Sequence, residues 1–221
     1  MENLKLMQER HSVRSYLSKP IEGETLMLLI QKIQEINMES GLNMQLILNE
    51  EKAFSNKIVH YGMFHNVKNY VAMVGTKSDS LDEKVGYYGE KLVLYAQSIG
   101  LNTCWVALTY RKIKNKYLIK KDEKLVLVIT IGYGENQGFP HKKKSLDQIN
   151  KSKGNLPSWY IDGLEAVLLA PSAMNQQKFS FELIKENVVK AKVGIGFYTH
   201  IDLGIAKYHF EVGANRKITW L

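Results

Sequence analysis

Cysteine is almost absent from this chain of 221 residues. Cys104 is the only one, so no intrachain disulfide can form. Long apolar runs are absent as well. The longest, Leu125 to Ile131, falls far short of the roughly 20 residues that a membrane-spanning helix requires. Met1 to Arg10 is polar and mixed in charge, so no secretory leader is read there. These lacks favour a cytoplasmic protein with no membrane partner.

Familiar catalytic signatures are missing too. No Gly-x-Ser-x-Gly nucleophile motif occurs. His60, His65, His141, His200 and His209 show no ligand spacing with cysteines or carboxylates, so no metal site is expected and they read as core or surface histidines. Cys104 stands beside Trp105 and reads as buried rather than nucleophilic, because no base is identifiable. Gly132-Tyr133-Gly134 is a fragment of a dinucleotide fingerprint. Gly138 is misplaced for it, and Pro140 with a lysine run follows where a helix should start, so the fragment reads as a strand-end turn.

Acidic residues are in deficit: 22 Asp and Glu against 30 Lys and Arg, a formal net charge of +8. Such a balance can serve nucleic acid, anionic membranes or anionic ligands. The excess is concentrated in Arg111–Lys124 and Lys142–Lys153. In the first region Ile113, Tyr117 and Leu118 interrupt the lysines at roughly helical spacing, the pattern of a solvated face. No RNP-like aromatic motif, zinc-finger spacing or basic zipper is present, so no nucleic-acid partner is expected.

What is present is enough apolar sequence, 45% of residues, for a sizeable core in one large domain or two small ones. Periodicity predicts helices near Asn3–Glu9, Glu22–Asn37, Lys84–Ile99, Tyr160–Ala170 and Ile205–Ala214. In the second, Leu26, Leu29, Ile30, Ile33 and Ile36 recur near the 3.6 period. Strands are predicted at Met44–Leu48, Tyr70–Gly75, Leu125–Gly132 and Phe179–Ile184, the Tyr70 and Leu125 runs being apolar throughout and therefore buried. The Gly154–Pro157 stretch reads as a linker.

Two stretches carry chemistry. Arg10-His11-Ser12-Val13-Arg14 gathers two guanidiniums, an imidazole and a hydroxyl, the groups an anionic phosphate requires. The alternative is a plain lead-in to the fold. Ala170-Pro171-Ser172-Ala173-Met174-Asn175-Gln176-Gln177 joins a helix to a strand. Pro171 should stop the helix at Ala170 and leave Ser172, Asn175 and Gln177 displayed on a turn. Such side chains read the edge of a polar ring through paired donors and acceptors, although they are also ordinary turn residues.

These stretches carry a family resemblance. "ERHSVRSY" resembles the opening Arg-(Arg/His)-Ser-x-Arg-x-(Phe/Tyr) of the FMN-dependent nitroreductases, and "LLAPSAMNQQKFSFELI" resembles their Ala-Pro-Ser-x-x-Asn-x-Gln-Pro-Trp segment. "YYGEKLVLYAQSIGLNTCWV" resembles their long central helix and the Gly-Leu-x-x-x-Trp turn after it. "LVLVITIGYGE" with "HKKKSLDQI" resembles their Ile-Gly-Tyr strand and the basic segment beyond. Two departures stand out. The Pro-Ser-x-x-Asn segment lies far downstream of the Arg-x-Ser-x-Arg motif instead of shortly after it, and Lys178-Phe179 replaces Pro-Trp.

The resemblance implies an α/β (α+β) nitroreductase-like fold with a central, mostly antiparallel sheet flanked by helices. It implies FMN as cofactor, NADH or NADPH as reductant, and a nitroaromatic, quinone or similar small-molecule electron acceptor. By resemblance, Arg10, His11 and Ser12 touch the FMN phosphate and ribityl chain or the pyrimidine edge, and Lys143 the phosphate. Arg14 serves either the ligand or a structural ion pair. Pro171, Ser172, Asn175 and Gln177 stand at the flavin ring. The Gly100–Leu101 backbone approaches its reactive edge. No side chain is required as acid or base, so none is named catalytic. Two rivals remain: a flavin-binding sensor or store without turnover, and a basic nucleic-acid-binding protein with no flavin.

The chain also resembles itself. Met38–Gln45 aligns with Ala170–Gln177, Arg10–Arg14 with Lys143–Asp147, and Gly86–Ala96 with Gly204–Ala214, although matches this short also arise by chance. A duplication predicts an intrachain pseudo-dimer acting as a monomer. Residues 1–150 form a first nitroreductase-like half, and 151–221 a shorter half completing one FMN site.

Overall fold

The computed structural model describes residues 2–55 and 63–221. His60 lies outside them. The chain forms two compact units interleaved in sequence. One is assembled from Met1–Glu9, Asp82–Lys91 and Pro140–Leu221, the other from Arg10–Leu81 and Leu92–Phe139.

The unit containing Arg10 to Phe139 is built on a four-stranded sheet in the order β1-β2-β4-β3, with every neighbouring pair antiparallel. Its strands are β1 (Gln45–Ile47), β2 (Tyr70–Thr76), β3 (Asn102–Val106) and β4 (Glu123–Gly132). The apolar runs that predicted β2 and β4 are buried along almost their whole length, as strands covered on both faces should be. The helix Gly23–Ser40 buries Leu29, Ile33 and Ile36 but leaves Ile30 exposed, and it ends on Gly41 in the left-handed region at φ 68°. Tyr16 is tied into the core, its hydroxyl 2.8 Å from the Val13 carbonyl and 2.7 Å from Thr130 Oγ1. Burial pushes its phenol far above its ordinary range.

The other unit carries a second sheet, β5 (Phe179–Lys185), β6 (Val188–Val193) and β7 (Thr219–Trp220), antiparallel between the first two and parallel between the last two. Through it runs the helix Thr199–Ala214, buried on nearly every face. Phe181, Phe210, Tyr160 and Trp220 pack edge-on or stacked around it. The first half of the helix Leu81–Ser98 lays Glu83, Gly86, Tyr87 and Glu90 against it, the stripe expected of 3.6 residues per turn. There Lys207 pairs with Glu83 at 2.6 Å, and fully buried His209 meets fully buried Glu90 at 3.0 Å.

Three differences from the sequence expectations have physical reasons. The helix ending before Pro171 stops at Val167 rather than Ala170. Leu169 and Ala170 instead bond back to Ala166 and Val167, a tighter final turn that hands the chain to proline. Strands β3, β6 and β7 were not predicted. Gly100-Leu101-Asn102 does cap a helix, with Gly100 at φ 79°, but Asn102 starts a buried strand at once. Residues 111–122 form no helix; Ile113 and Tyr117 instead pack on the sheet core while the intervening lysines stay in water. Among the described residues no helix is long and apolar enough to cross a membrane, and no cluster of three or more ligand-type side chains could hold a metal.

Candidate functional site

The expected site residues fall into two groups, one in each unit. Arg10, His11, Ser12, Arg14, Gly100 and Leu101 belong to the sheet unit, and Lys143, Pro171, Ser172, Asn175 and Gln177 to the other.

In the first group the chain from Arg10 runs alongside β3. Ser12 bridges Thr103 in parallel, and the Val13 N–H donates to the Thr103 carbonyl at 3.0 Å. Beyond β4 the chain folds over this segment. Gly138, at φ 72°, lies so close that a Cβ there would come within 2.7 Å of His11 Cβ. Asn102 holds that turn, accepting from the Gly134 N–H at 3.0 Å and donating to Gln137 Oε1 at 2.9 Å. Arg10, Ser12 and Arg14 all bear on the buried Cys104 thiol. Burial pushes its pKa up, against the pull of Arg14, the Ser12 hydrogen bond and Arg10. Arg10 is only 3% exposed, whereas Arg14 is exposed. Gly100 and Leu101 sit just before β3. Their N–H groups donate to Gln97 and Ala96, so these amides close the preceding helix.

Ser172, Asn175 and Gln177 of the second group lie in one continuous polar network, joined by Lys142 and Lys144. Ser172 precedes a single 3-10 turn, Ala173–Asn175, in which Met174 and Asn175 take φ of 50° and 54°, followed by Gln177 at 45°. Three left-handed residues without a glycine are a costly backbone, of order 1–3 kcal/mol each, and must be held from outside. Gln177, 3% exposed, does much of this holding. Its N–H donates to Ser172 Oγ at 3.0 Å. Its side-chain amide donates to Asn175 Oδ1 and to the Lys142 carbonyl, both at 2.8 Å, and accepts from the Lys144 N–H at 3.0 Å. Lys144 Nζ reaches the Gln177 carbonyl at 2.6 Å, and Asn175 Nδ2 the Lys142 carbonyl at 2.9 Å. The sequence therefore assembles the turn and the basic segment together. Asn175 and Lys143 are exposed, Pro171 and Ser172 half-buried. Two members of the network escaped sequence reasoning. Lys144 lay beside the lysine singled out, and Asp202 sits near the start of the mostly buried helix Thr199–Ala214. Its Oδ1 accepts the Ala173 N–H at 2.9 Å. Burial pushes the Asp202 carboxyl up to about 6, against the Ala173 and Gln176 hydrogen bonds that favour its charged form.

The cations and hydroxyl of the first group are of the kind that pair with anions, and the exposed amide and half-buried hydroxyl of the second are of the kind that pair with polar ring edges. Solved structures agree with the fold. A "putative nitroreductase" of Thermotoga maritima matches with a TM-score of 0.66 at 20% identity, over 98% of this chain and 87% of its own. A "putative nitroreductase in complex with fmn" of Desulfovibrio desulfuricans matches at 0.55 with 13% identity, over 71% of this chain and 99% of its own. A nitroreductase family protein of Streptococcus pneumoniae matches at 0.53 with 14% identity, over 66% and 97%. No curated protein sequence matches the chain. The family model described as "Putative TM nitroreductase" matches residues 2–214, and this chain belongs to that family.

Proposed function

We propose that this chain binds FMN non-covalently and is an NAD(P)H-dependent oxidoreductase that reduces nitroaromatic, quinone or similar small-molecule acceptors. The observation that carries the reading is the strained turn Ser172–Gln177, which presents Ser172 and Asn175 in a chain of the nitroreductase family. Arg10, His11 and Ser12 bind the phosphate and ribityl end, with Lys143 as a further cation and Arg14 as either ligand or ion pair. Ser172 and Asn175 address the ring edge. Pro171 and Gln177 hold the turn, the latter because it is buried with its amide engaged, whereas Asn175, although also bonded within the network, is exposed. Gly100 and Leu101 contribute the course of the chain. When bound, FMN supplies the hydride chemistry, and the protein supplies binding, orientation and local electrostatics.

A catalytically silent flavin store is the second reading, favoured by the degenerate motif copies at Met38–Gln45 and Lys143–Asp147. One preparation separates the readings. The purified protein should be yellow and release FMN on denaturation, and it should oxidise NADH or NADPH steadily when a quinone is added. Yellow protein without turnover leaves the store. Colourless protein that takes up no added FMN ends both.

A further inference from the structure

The Ser172–Gln177 turn has a second anchor besides the Gln177 amide. Asp202 lies in the first turn of the helix Thr199–Ala214 and is 2% exposed. An acidic residue there ordinarily serves the N–H groups of its own helix. Asp202 directs its oxygens elsewhere. Oδ1 takes the Ala173 N–H at 2.9 Å, and Oδ2 takes Gln176 Nε2 at 3.0 Å. The same Gln176 nitrogen donates to the Phe197 carbonyl, and Lys178 Nζ reaches the Ile195 carbonyl at 2.6 Å. A Cβ on Gly196 would run into the Gln176 side-chain oxygen, so this amide lies packed on the Gly194–Tyr198 segment. One buried carboxylate thus ties the residue between Ser172 and Met174 to a helix start and, through Gln176, to a neighbouring segment.

We propose that Asp202 is a positioning residue: through Ala173 and Gln176 it sets where Ser172 and Asn175 meet the flavin ring. This rests on the FMN reading above. Left-handed residues persist only where their surroundings over-determine them, and a ligand-binding group is useful only when its support is rigid. Asp202 meets both requirements from outside the turn.

The test compares wild type, Asp202→Asn and Gln176→Ala by FMN titration, the visible spectrum of the bound flavin, its midpoint potential and thermal stability. Asparagine keeps an acceptor for Ala173 but offers no charged oxygen to Gln176. Each variant should weaken FMN by about tenfold, the scale of one hydrogen bond to a charged group. Riboflavin should weaken by the same factor, because the effect lies at the ring. The spectrum and potential should shift, and the double variant should lose little more than Asp202→Asn alone, because both act on one link. A yellow wild type whose variants keep its affinity overturns the inference. So does weaker binding with an unchanged spectrum and potential, which marks Asp202 as structural only. If Asp202→Asn does not fold, Gln176→Ala carries the test alone. A wild type that takes up no flavin overturns the functional reading and this inference with it, and is recognised before any variant is made.

Discussion

At the scale of single residues, burial sets the chemistry. Asp202 has its carboxyl raised from an ordinary 3.8 to about 6. The folded protein therefore holds this proton more tightly than the unfolded chain does. The associated stability is fully present below about pH 4 and is lost as pH rises through about 6. The shift corresponds to something on the order of 2–3 kcal/mol. Asp202→Asn cannot titrate, so wild type should gain about 2 kcal/mol relative to it when denaturant unfolding is repeated at pH 4.5 instead of 7.5. A pH-independent gap between the two proteins would refute the shift. Arg10 shows the other side of burial. In the proposed site the FMN phosphate falls to Arg10, whose guanidinium is only 3% exposed, and a charge-assisted hydrogen bond to a phosphate is the strong kind. Arg10→Ala should weaken FMN by roughly 1.5–3 kcal/mol while leaving riboflavin affinity nearly unchanged, as read by fluorescence titration. Equal loss for both ligands would take Arg10 away from the phosphate.

At the scale of elements, the contact between the first half of the helix Leu81–Ser98 and the helix Thr199–Ala214 is reciprocal. A Cβ on Gly86 would strike the Ile201 carbonyl and approach the Ile205 nitrogen, and one on Gly204 would strike the Glu83 carbonyl and approach the Tyr87 nitrogen. In the alignment of the chain with itself, Gly86 lies over Gly204 and Tyr87 over Ile205, and the same offset carried three residues upstream of that match puts Glu83 over Ile201. Each helix thus presents the equivalent residues to the other, as in an isologous dimer contact. Such reciprocity is what a duplication would produce. Because backbone meets backbone, no side-chain adjustment can make room. Gly86→Ala and Gly204→Ala should each destabilise by at least the 1–3 kcal/mol typical of overpacking. Together they should cost less than the sum, since one separation of the helices relieves both. Urea unfolding of the single and double variants measures this, and full additivity would mean that the two glycines are independent.

At the scale of the whole chain, the duplication reading predicts one FMN per chain. The copy of Arg10–Arg14 has Asp147 where Arg14 stands, and the copy of Ala170–Gln177 has Glu39 where Pro171 stands. A carboxylate beside a phosphate repels it, more so as water is excluded. Extracted flavin should therefore approach one equivalent per polypeptide, and a liganded structure should place Arg10 and Asn175 of the same chain on the same flavin. Two equivalents would mean that the degenerate copies still bind. Arg10 and Asn175 from different chains around one flavin would replace the pseudo-dimer with a true one and leave the cofactor in place.

Much of this protein was legible before folding. The continuous apolar runs at Tyr70 and Leu125 could be nothing but buried strands, and Pro171 had to end a helix nearby, because these outcomes depend on local sterics and on hiding apolar surface. The motifs at Arg10 and Ser172 pointed to the family because residue types at fixed spacing survive without any knowledge of contacts. Strand β6 and the Asn102 start of β3 escaped, since their pairing is bought by neighbours distant in sequence. The network around Ser172 escaped for the same reason. Nothing local distinguishes Lys144 from Lys143, or shows that Gln177 is buried in the network while Asn175, bonded within the same network, stays exposed. Nor does it show that Asp202, outside the predicted Ile205–Ala214 helix, lies in the first turn of the helix Thr199–Ala214 and turns both oxygens away from it. Hydrogen-bond partners and burial are properties of the packed chain, so only the tertiary structure could separate the residues that present the site from those that hold it.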